Sequence, residues 1–308
     1  MKQITFILHG KIKHRDKLIA SVKGVFGSSA SLTFISTEHP DHSVELARNA
    51  AEGGATHIIC VGGDGSLNEV VNGVMQFAHS NPNGTASIKI GVLPHGTGND
   101  FARTMCVAFD IAALKKLIDE DSFRTIDLGY TSFTGKNGNP ATRYFVNISD
   151  VGIGGAIAHD LSNSSRFFGS FVTYQKALLK GMLSYKNKPV KVTADTFNYE
   201  RSIMSLVVAN GRFFGGGMGI APDALPDDNL FSVVIIGPVS ILTYLLNMGK
   251  IRKSVKIEHP ELKYLSASQI LIESPEVPLP IDMDGEFIGF TPVTMKIAPA
   301  AINFIAPK

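Results

Sequence analysis

Up to about residue 126 the chain alternates short apolar runs with amphipathic stretches. Ile4–Leu8, Leu32–Ser36, residues 56–61 and Ile88–Leu93 are apolar runs bounded by turn residues, and they predict strands. Asp16–Val25, Ser43–Glu52 and residues 66–79 predict helices. In the last of these, Leu67, Val70, Val71, Val74 and Met75 recur at three- and four-residue spacing on one face. Asp41 stands where a cap for the second helix belongs, and helical segments continue to about residue 120. Strands separated by helices predict a parallel sheet covered on both faces, with sites at the carboxyl ends of its strands.

From Thr125 onward the pattern changes. Ile126–Gly129, Arg143–Ser149, Val190–Ala194, Ser202–Asn210, Phe231–Ile236 and Gln269–Glu273 predict strands separated by turn residues. One helix interrupts them at about Arg166–Tyr185, with Phe168, Phe171, Val172, Leu178, Leu179 and Met182 on one face. Such a run predicts a mostly antiparallel β-sandwich. The last strand, Ala301–Ile305, is expected to return to the first domain. The expected division is therefore 1–125 plus about 299–308, an α/β domain, and 126–298, a β-sandwich domain. Phe231–Gly249 carries no charge, but Gly237-Pro238 breaks it. Strand, turn and a helix beginning near Pro238 account for it better than a membrane span.

Composition narrows the classes. With 308 residues there is room for about two domains. A net charge of +2 gives no argument for nucleic acid. Basic residues cluster at Lys11, Lys13, Arg15 and Lys17, and again at Lys250, Arg252, Lys253 and Lys256. Each cluster reads either as a solvated face or as attraction to an anionic membrane. Cys60 and Cys106 have no metal or disulfide spacing and read as two small buried side chains in a reducing compartment. The apolar run in Met1–Gly10 is too short for a signal segment and reads as a first strand.

Candidate chemistry begins at Val61-Gly-Gly-Asp-Gly-Ser-Leu-Asn-Glu69, between a strand and a helix. Glycines there let backbone N–H groups approach a phosphate, and the helix N-terminus adds positive potential. Asp64 beside a phosphate calls for a cation between them, which suggests a nucleotide with Mg²⁺; tight packing alone is the alternative. The second turn, Leu93-Pro-His-Gly-Thr-Gly-Asn-Asp-Phe-Ala-Arg103, frees the backbone at Gly96 and Gly98 and offers the Thr97 hydroxyl to a phosphate. Asn99 or Asp100 would cap the next helix.

Two acidic segments follow later in the chain. Ile281-Asp-Met-Asp-Gly-Glu-Phe-Ile288 holds three carboxylates, and an extended Asp284-Gly285-Glu286 would point two of them the same way. Such a pair would suit a general base; a plain Asp-Gly hairpin turn is the alternative. In Gly215–Phe231, Asp227 and Asp228 occupy a tight loop whose carboxylates and carbonyls could hold a divalent ion or form an ordinary turn.

Taken together, Gly62–Glu69, Pro94–Arg103, the Gly215–Leu230 loop and Asp284-Gly-Glu286 resemble the diacylglycerol kinase catalytic-domain family of lipid kinases, which includes the sphingosine and ceramide kinases. The resemblance spans nearly the whole chain. It implies an N-terminal domain similar to NAD kinase and phosphofructokinase, followed by a β-sandwich. It implies ATP on Gly62, Gly63, Asp64, Gly65, Ser66, Leu67, Asn68 and Glu69, with Gly96, Thr97 and Thr37 completing the nucleotide contacts. Mg²⁺ would be held by Asp228 and the carbonyls of Leu225 and Leu230, with Asp100 joining through water. Glu286, with Asp284 beside it, would be the base, although the family also offers Asp64 for that role. The family's Asn-Pro-x-x-Gly after the first strand is missing; Leu8-His-Gly-Lys-Ile12 stands there. Ser66 replaces Thr, and Asn229 replaces Gly.

The function expected is phosphoryl transfer from ATP to a lipid hydroxyl, most readily that of diacylglycerol, by a cytoplasmic enzyme visiting the inner membrane face transiently. The helix near 166–185 and the Leu242, Leu245, Leu246 face are candidates for the wall or lid of a lipid pocket, with core packing as the alternative. An NAD kinase-like enzyme and a catalytically weak lipid-binding regulator are the competing readings. No nucleic-acid partner is expected, and a homodimer is left open.

Overall fold

The computed structural model describes residues 1–81, 88–162 and 171–308, with the side chains of 161, 162 and 171–173 left aside. The chain forms two compact units, Met1–Ile126 with Ala300–Lys308, and Asp127–Pro299.

Unit 1 runs β1 (Lys2–Leu8), α1 (Arg15–Phe26), β2 (Ala30–Ser36), α2 (His42–Glu52), β3 (His57–Gly62), α3 (Asp64–Ser80), β4 (Lys89–Pro94), α4 (Asp100–Thr104) and α5 (Ile111–Asp119). β2, β1, β3 and β4 lie side by side, all parallel. The chain's last strand completes the sheet, with Asn303 and Phe304 beside Lys89 and Ile90, also parallel. Apart from His57, the buried residues of β3 and β4 are apolar or small, as expected where helices cover both faces. One core gathers Ile4, Phe6, Ile59, Val61, Leu93, Leu114 and Ile305. Parallel register brings the carboxyl ends Leu8, Ser36, Gly62 and Pro94 to a single edge.

Unit 2 comprises β5 (Arg124–Gly135), which enters it from unit 1, then β6 (Pro140–Phe145), β7 (Ile148–Gly152), α6 (Ile153–Ser162), α7 (Phe171–Ser184), β8 (Lys188–Ala194), β9 (Asn198–Ile203), β10 (Ser205–Ala209) and the short pair β11 (Phe213–Phe214) and β12 (Met218–Gly219). Then follow β13 (Phe231–Ile236), α8 (Ile241–Arg252), β14 (Leu262–Ala267), β15 (Gln269–Glu273), β16 (Pro280–Met283) and β17 (Glu286–Phe304). β14, β13, β10, β7 and β16 pair in that order, antiparallel, and β16 pairs with β17. Further along, β17 pairs with β15, which continues to β8 and β9, while β5 pairs with β17 and β6. The shared core joins Phe145, Leu206, Val208 and Phe231 to Val192, Ile270, Val293 and Met295, so the β-rich unit is a mostly antiparallel sandwich.

Several expectations are corrected. The helix predicted from Arg166 is described from Phe171; Arg166 and Phe168 lie outside the described residues, as do the side chains of Phe171 and Val172. α8 starts at Ile241 rather than near Pro238, because the Ser240 hydroxyl accepts the Thr243 N–H at 3.0 Å and caps it there. Asp41 takes positive φ before α2 and makes no side-chain cap. Cys60 is buried, but Cys106 is exposed at φ 56° in the turn after α4. Leu242, Leu245 and Leu246 are exposed, which removes the core reading for that face.

Candidate active site

At the carboxyl edge of the unit 1 sheet the two glycine turns cross. A Cβ on Gly96 would fall 2.3 Å from Gly63 Cα, and one on Gly63 would fall 3.1 Å from Gly96 Cα. Only glycine permits that approach. The crossing is pinned by the His95 N–H, which donates to Gly62 O at 2.8 Å. α3 begins immediately beyond it, with Gly63 in the cap position and no side chain closing its first turn. An uncapped helix N-terminus beside exposed Gly96 and Thr97 is an anion-binding geometry.

Asp64 opens α3, and both its carboxylate oxygens face α4. Oδ2 accepts the Asp100 N–H and Oδ1 the Phe101 N–H, each at 3.0 Å. Burial pushes its carboxyl up from the usual range, against the pull of those donors. Asp64 thus ties the two glycine turns together. Asp100 begins α4 and is buried. Thr37 holds the loop after β1: its Oγ1 accepts the Gly10 N–H at 2.8 Å, and its own N–H donates to Leu8 O at 2.9 Å.

Other residues of the first motif are committed within the unit. Leu67 is core, and Asn68 is buried with its carbonyl and Oδ1 accepting from Asn72. Glu69 reaches α2, accepting the Asp41 N–H at 3.3 Å and the Ser43 N–H at 3.2 Å. It thereby supplies the cap that Asp41 does not. What Gly62, Gly63, Gly65, Ser66, Gly96 and Thr97 present at the edge is therefore backbone and two small hydroxyls.

In unit 2 the Asp284-Gly285 segment is a turn, not an extended pair. Both residues have positive φ, 48° and 88°, linking β16 to β17 as a tight hairpin. Asp284 is 7% exposed. It accepts three backbone N–H groups: Val146 at 2.9 Å, Asn147 at 3.0 Å and Ile148 at 2.9 Å. Glu286 is more open and pairs through Oε2 with the Arg143 guanidinium at 3.0 Å. The two carboxylates therefore have different tasks.

Behind the hairpin lies a second acidic pair. Asp282 on β16 stands opposite Asp150 on β7, and both are buried. Asp150 accepts the Ser205 hydroxyl at 2.7 Å, yet burial raises its carboxyl to about 7. Asp282 is raised well above the usual carboxylate range by burial and by the charges of Asp150 and Asp284. The first turn of α6 presses on this pair, since a Cβ on Gly155 would fall 1.9 Å from Pro280 O and one on Gly154 2.0 Å from Asp150 Oδ2. Between α6 and α7 is a cavity of about 350 Å³ walled by Ile153, Ile157, Gly181 and Tyr185, with Lys186 and Lys188 beside it. Arg143, Asp150 and Asp127 escaped the sequence reading; a carboxylate inside the apolar strand Ile148–Gly152 is the signal that could have shown Asp150.

The loop after β12 carries the oxygen donors expected of a cation site. Asp228 Oδ1 accepts the Leu230 N–H at 3.1 Å, and buried Asp127 accepts the Asn229 N–H at 2.7 Å. Burial, with Asp127 and Asp227 nearby, raises the Asp228 carboxyl. Among the described residues no group of three or more His, Cys, Asp and Glu could hold a metal. A hard ion would therefore need the Leu225 and Leu230 carbonyls and water to complete its shell, and this all-oxygen donor set fits one.

The family model described as the diacylglycerol kinase catalytic domain matches residues 4–131. The YegS C-terminal NAD kinase beta sandwich-like domain matches residues 149–306. The chain is similar to a diacylglycerol kinase of Staphylococcus carnosus, 28% identical over 95% of this chain and 89% of that one. It is also similar to a Shewanella frigidimarina protein named probable lipid kinase YegS-like, 29% identical over 81% of this chain and 76% of that one. Among solved structures, a diacylglycerol kinase from Bacillus anthracis superposes with TM-score 0.70 at 21% identity, covering 99% of this chain and 97% of that one, a likeness of fold. With the two family models lying over the α/β unit and the β-rich unit in turn, the chain belongs to the diacylglycerol kinase catalytic-domain family of lipid kinases.

Proposed function

We propose that this lipid kinase transfers the γ-phosphoryl group of ATP to the hydroxyl of diacylglycerol, giving phosphatidic acid, with Mg²⁺. The observation that carries the reading is the glycine crossing at Gly63 and Gly96, which leaves the first turn of α3 open to an anion. Backbone N–H groups of Gly65 and Ser66, with the Gly96–Thr97 turn, would bind the phosphates. Asp64 would hold both turns in register and, with the nucleotide present, face its metal. Thr37 would fix the loop that borders the nucleotide.

Glu286 takes the proton of the attacking hydroxyl, while Asp284 fixes the backbone from which Arg143 and Glu286 meet. Asp228, with the carbonyls of Leu225 and Leu230, would hold a structural Mg²⁺ that neutralises the repulsion among Asp127, Asp227 and Asp228. The cavity between α6 and α7 would take part of the acceptor's apolar body. Among the described residues no helix is long and apolar enough to cross a membrane, so we place the enzyme at the bilayer surface transiently.

The test is transfer of label from γ-labelled ATP to a panel of diacylglycerol, monoacylglycerol, phosphatidylglycerol, ceramide and a sphingoid base, with and without Mg²⁺. Labelled phosphatidic acid that disappears on chelation is expected. Preferential labelling of another lipid would replace the acceptor, and labelling of none would end the reading.

A further inference from the structure

α8 carries its apolar residues on two opposite faces, and only one of them is covered. Tyr244 and Ile251 pack inward with Tyr174, Phe214 and Met218, and the Tyr244 hydroxyl hydrogen-bonds Gln175 on α7. On the opposite side Leu242, Leu245 and Leu246 are 66%, 50% and 76% exposed. With Gly249 they form a single stripe at i, i+3, i+4, i+7 spacing. A water-facing helix side is ordinarily polar, and a contiguous exposed leucine stripe marks an interaction surface.

What lies beside the stripe selects the partner. Lys250 lies one turn beyond Leu246 and Lys253 stands at the C-cap, seven residues beyond it, and the helix contains no acidic residue. Lys256 follows, held by Asp223. Leucines flanked by cations on one face of a surface helix match an anionic bilayer, whose headgroups meet the lysines as the apolar side chains enter the acyl boundary. A proteinaceous groove of like shape would gain from the leucines but would need its own acidic rim. The kinase reading, on which this inference rests, requires such a surface, because its acceptor resides in one.

We propose that α8 is the element by which this protein docks on anionic membranes, lying along the surface with Leu242, Leu245 and Leu246 inserted and Lys250 and Lys253 on lipid phosphates. The test is flotation of the full chain with vesicles of phosphatidylglycerol and phosphatidylcholine, against phosphatidylcholine alone. Wild type is expected to float with the anionic vesicles. Leu245→Glu/Leu246→Glu is expected to lose at least tenfold in binding, with an unchanged melting temperature because both side chains face water. Lys250→Glu/Lys253→Glu is expected to lose the dependence on anionic lipid.

Kinase activity separates this inference from the one beneath it. Turnover of a short-chain acceptor dissolved in detergent is expected to stay within twofold in all variants, while turnover of a vesicle-embedded acceptor falls with flotation. Flotation that follows these substitutions in a protein without kinase activity would uphold the docking helix and overturn only the activity. Undiminished flotation of the double leucine variant, or failure of wild type to float, would overturn the docking proposal. So would a change from dimer to monomer in that variant with vesicle binding intact, which would assign the stripe to a second copy of the chain.

Discussion

Positive φ at Asp284 and Gly285 turns the chain between two acidic residues, and the hydrogen bonds divide their duties. Three backbone donors occupy Asp284, so Asp284→Asn would place an amide NH₂ against at least one N–H. A loss on the order of 2 kcal/mol is expected in urea unfolding, since these bonds involve a charged acceptor. Glu286→Gln leaves that frame intact. It is expected to lower kcat at least ~100-fold with ATP affinity kept, read by steady-state kinetics and nucleotide titration. The buried pair makes a separate prediction. Asp150 holds its proton to about pH 7 in the fold, whereas an unfolded chain releases it near 4. The folded state then binds more protons across that window, so stability falls as pH rises from about 4 to 7 and levels off above. Asp282 shifts in the same direction, and the two titrate as a pair. Asp150→Asn, which keeps the Ser205 bond, is expected to raise the melting temperature at pH 8 and flatten this slope.

Among the elements, those with a clear period were legible from sequence and those shaped by close approach were not. β1 to β4 and α3 follow from apolar runs and spacing alone. α6 was missed because Ile153-Gly154-Gly155 looks like a break, each glycine weakening a helix by about 1 kcal/mol. Packing against Asp150 and Pro280 requires those glycines, so tertiary contact overrides propensity. The 284–286 segment stayed open between an extended pair and an Asp-Gly hairpin because period alone does not register positive φ. Within the first motif, spacing located the glycine turn between β3 and α3 but could not show that Glu69 caps α2. Gly96→Ala tests the crossing directly: its methyl group has no room beside Gly63. Loss of ATP binding together with a lower melting temperature is expected, and normal ATP affinity in calorimetry would separate the turn from the nucleotide.

At the scale of the whole molecule, only the end of β17, Ala301–Ile305, was expected from sequence, because Pro292 and Pro299 demote the stretch from Glu286 to Pro299 as a strand. Its last residues are nonetheless deep in unit 1. Phe304 meets Phe101 edge-on with ring centroids 5.2 Å apart, the Ile305 N–H donates to Ile90 O, and the Ser122 hydroxyl donates to Ala306 O. Deleting residues 300–308 is expected to cost several kcal/mol, about 1.5–3 for each large apolar side chain removed, and to leave β4 as a bare edge. Chemical denaturation of the truncated chain checks this. A ribosome delivers most of the α/β unit first and its closing strand only after the β-rich unit. Until residues 300–306 emerge, the nascent α/β sheet waits with an open flank through synthesis of the entire β-rich unit, a long exposure to proteases and to strand-pairing neighbours.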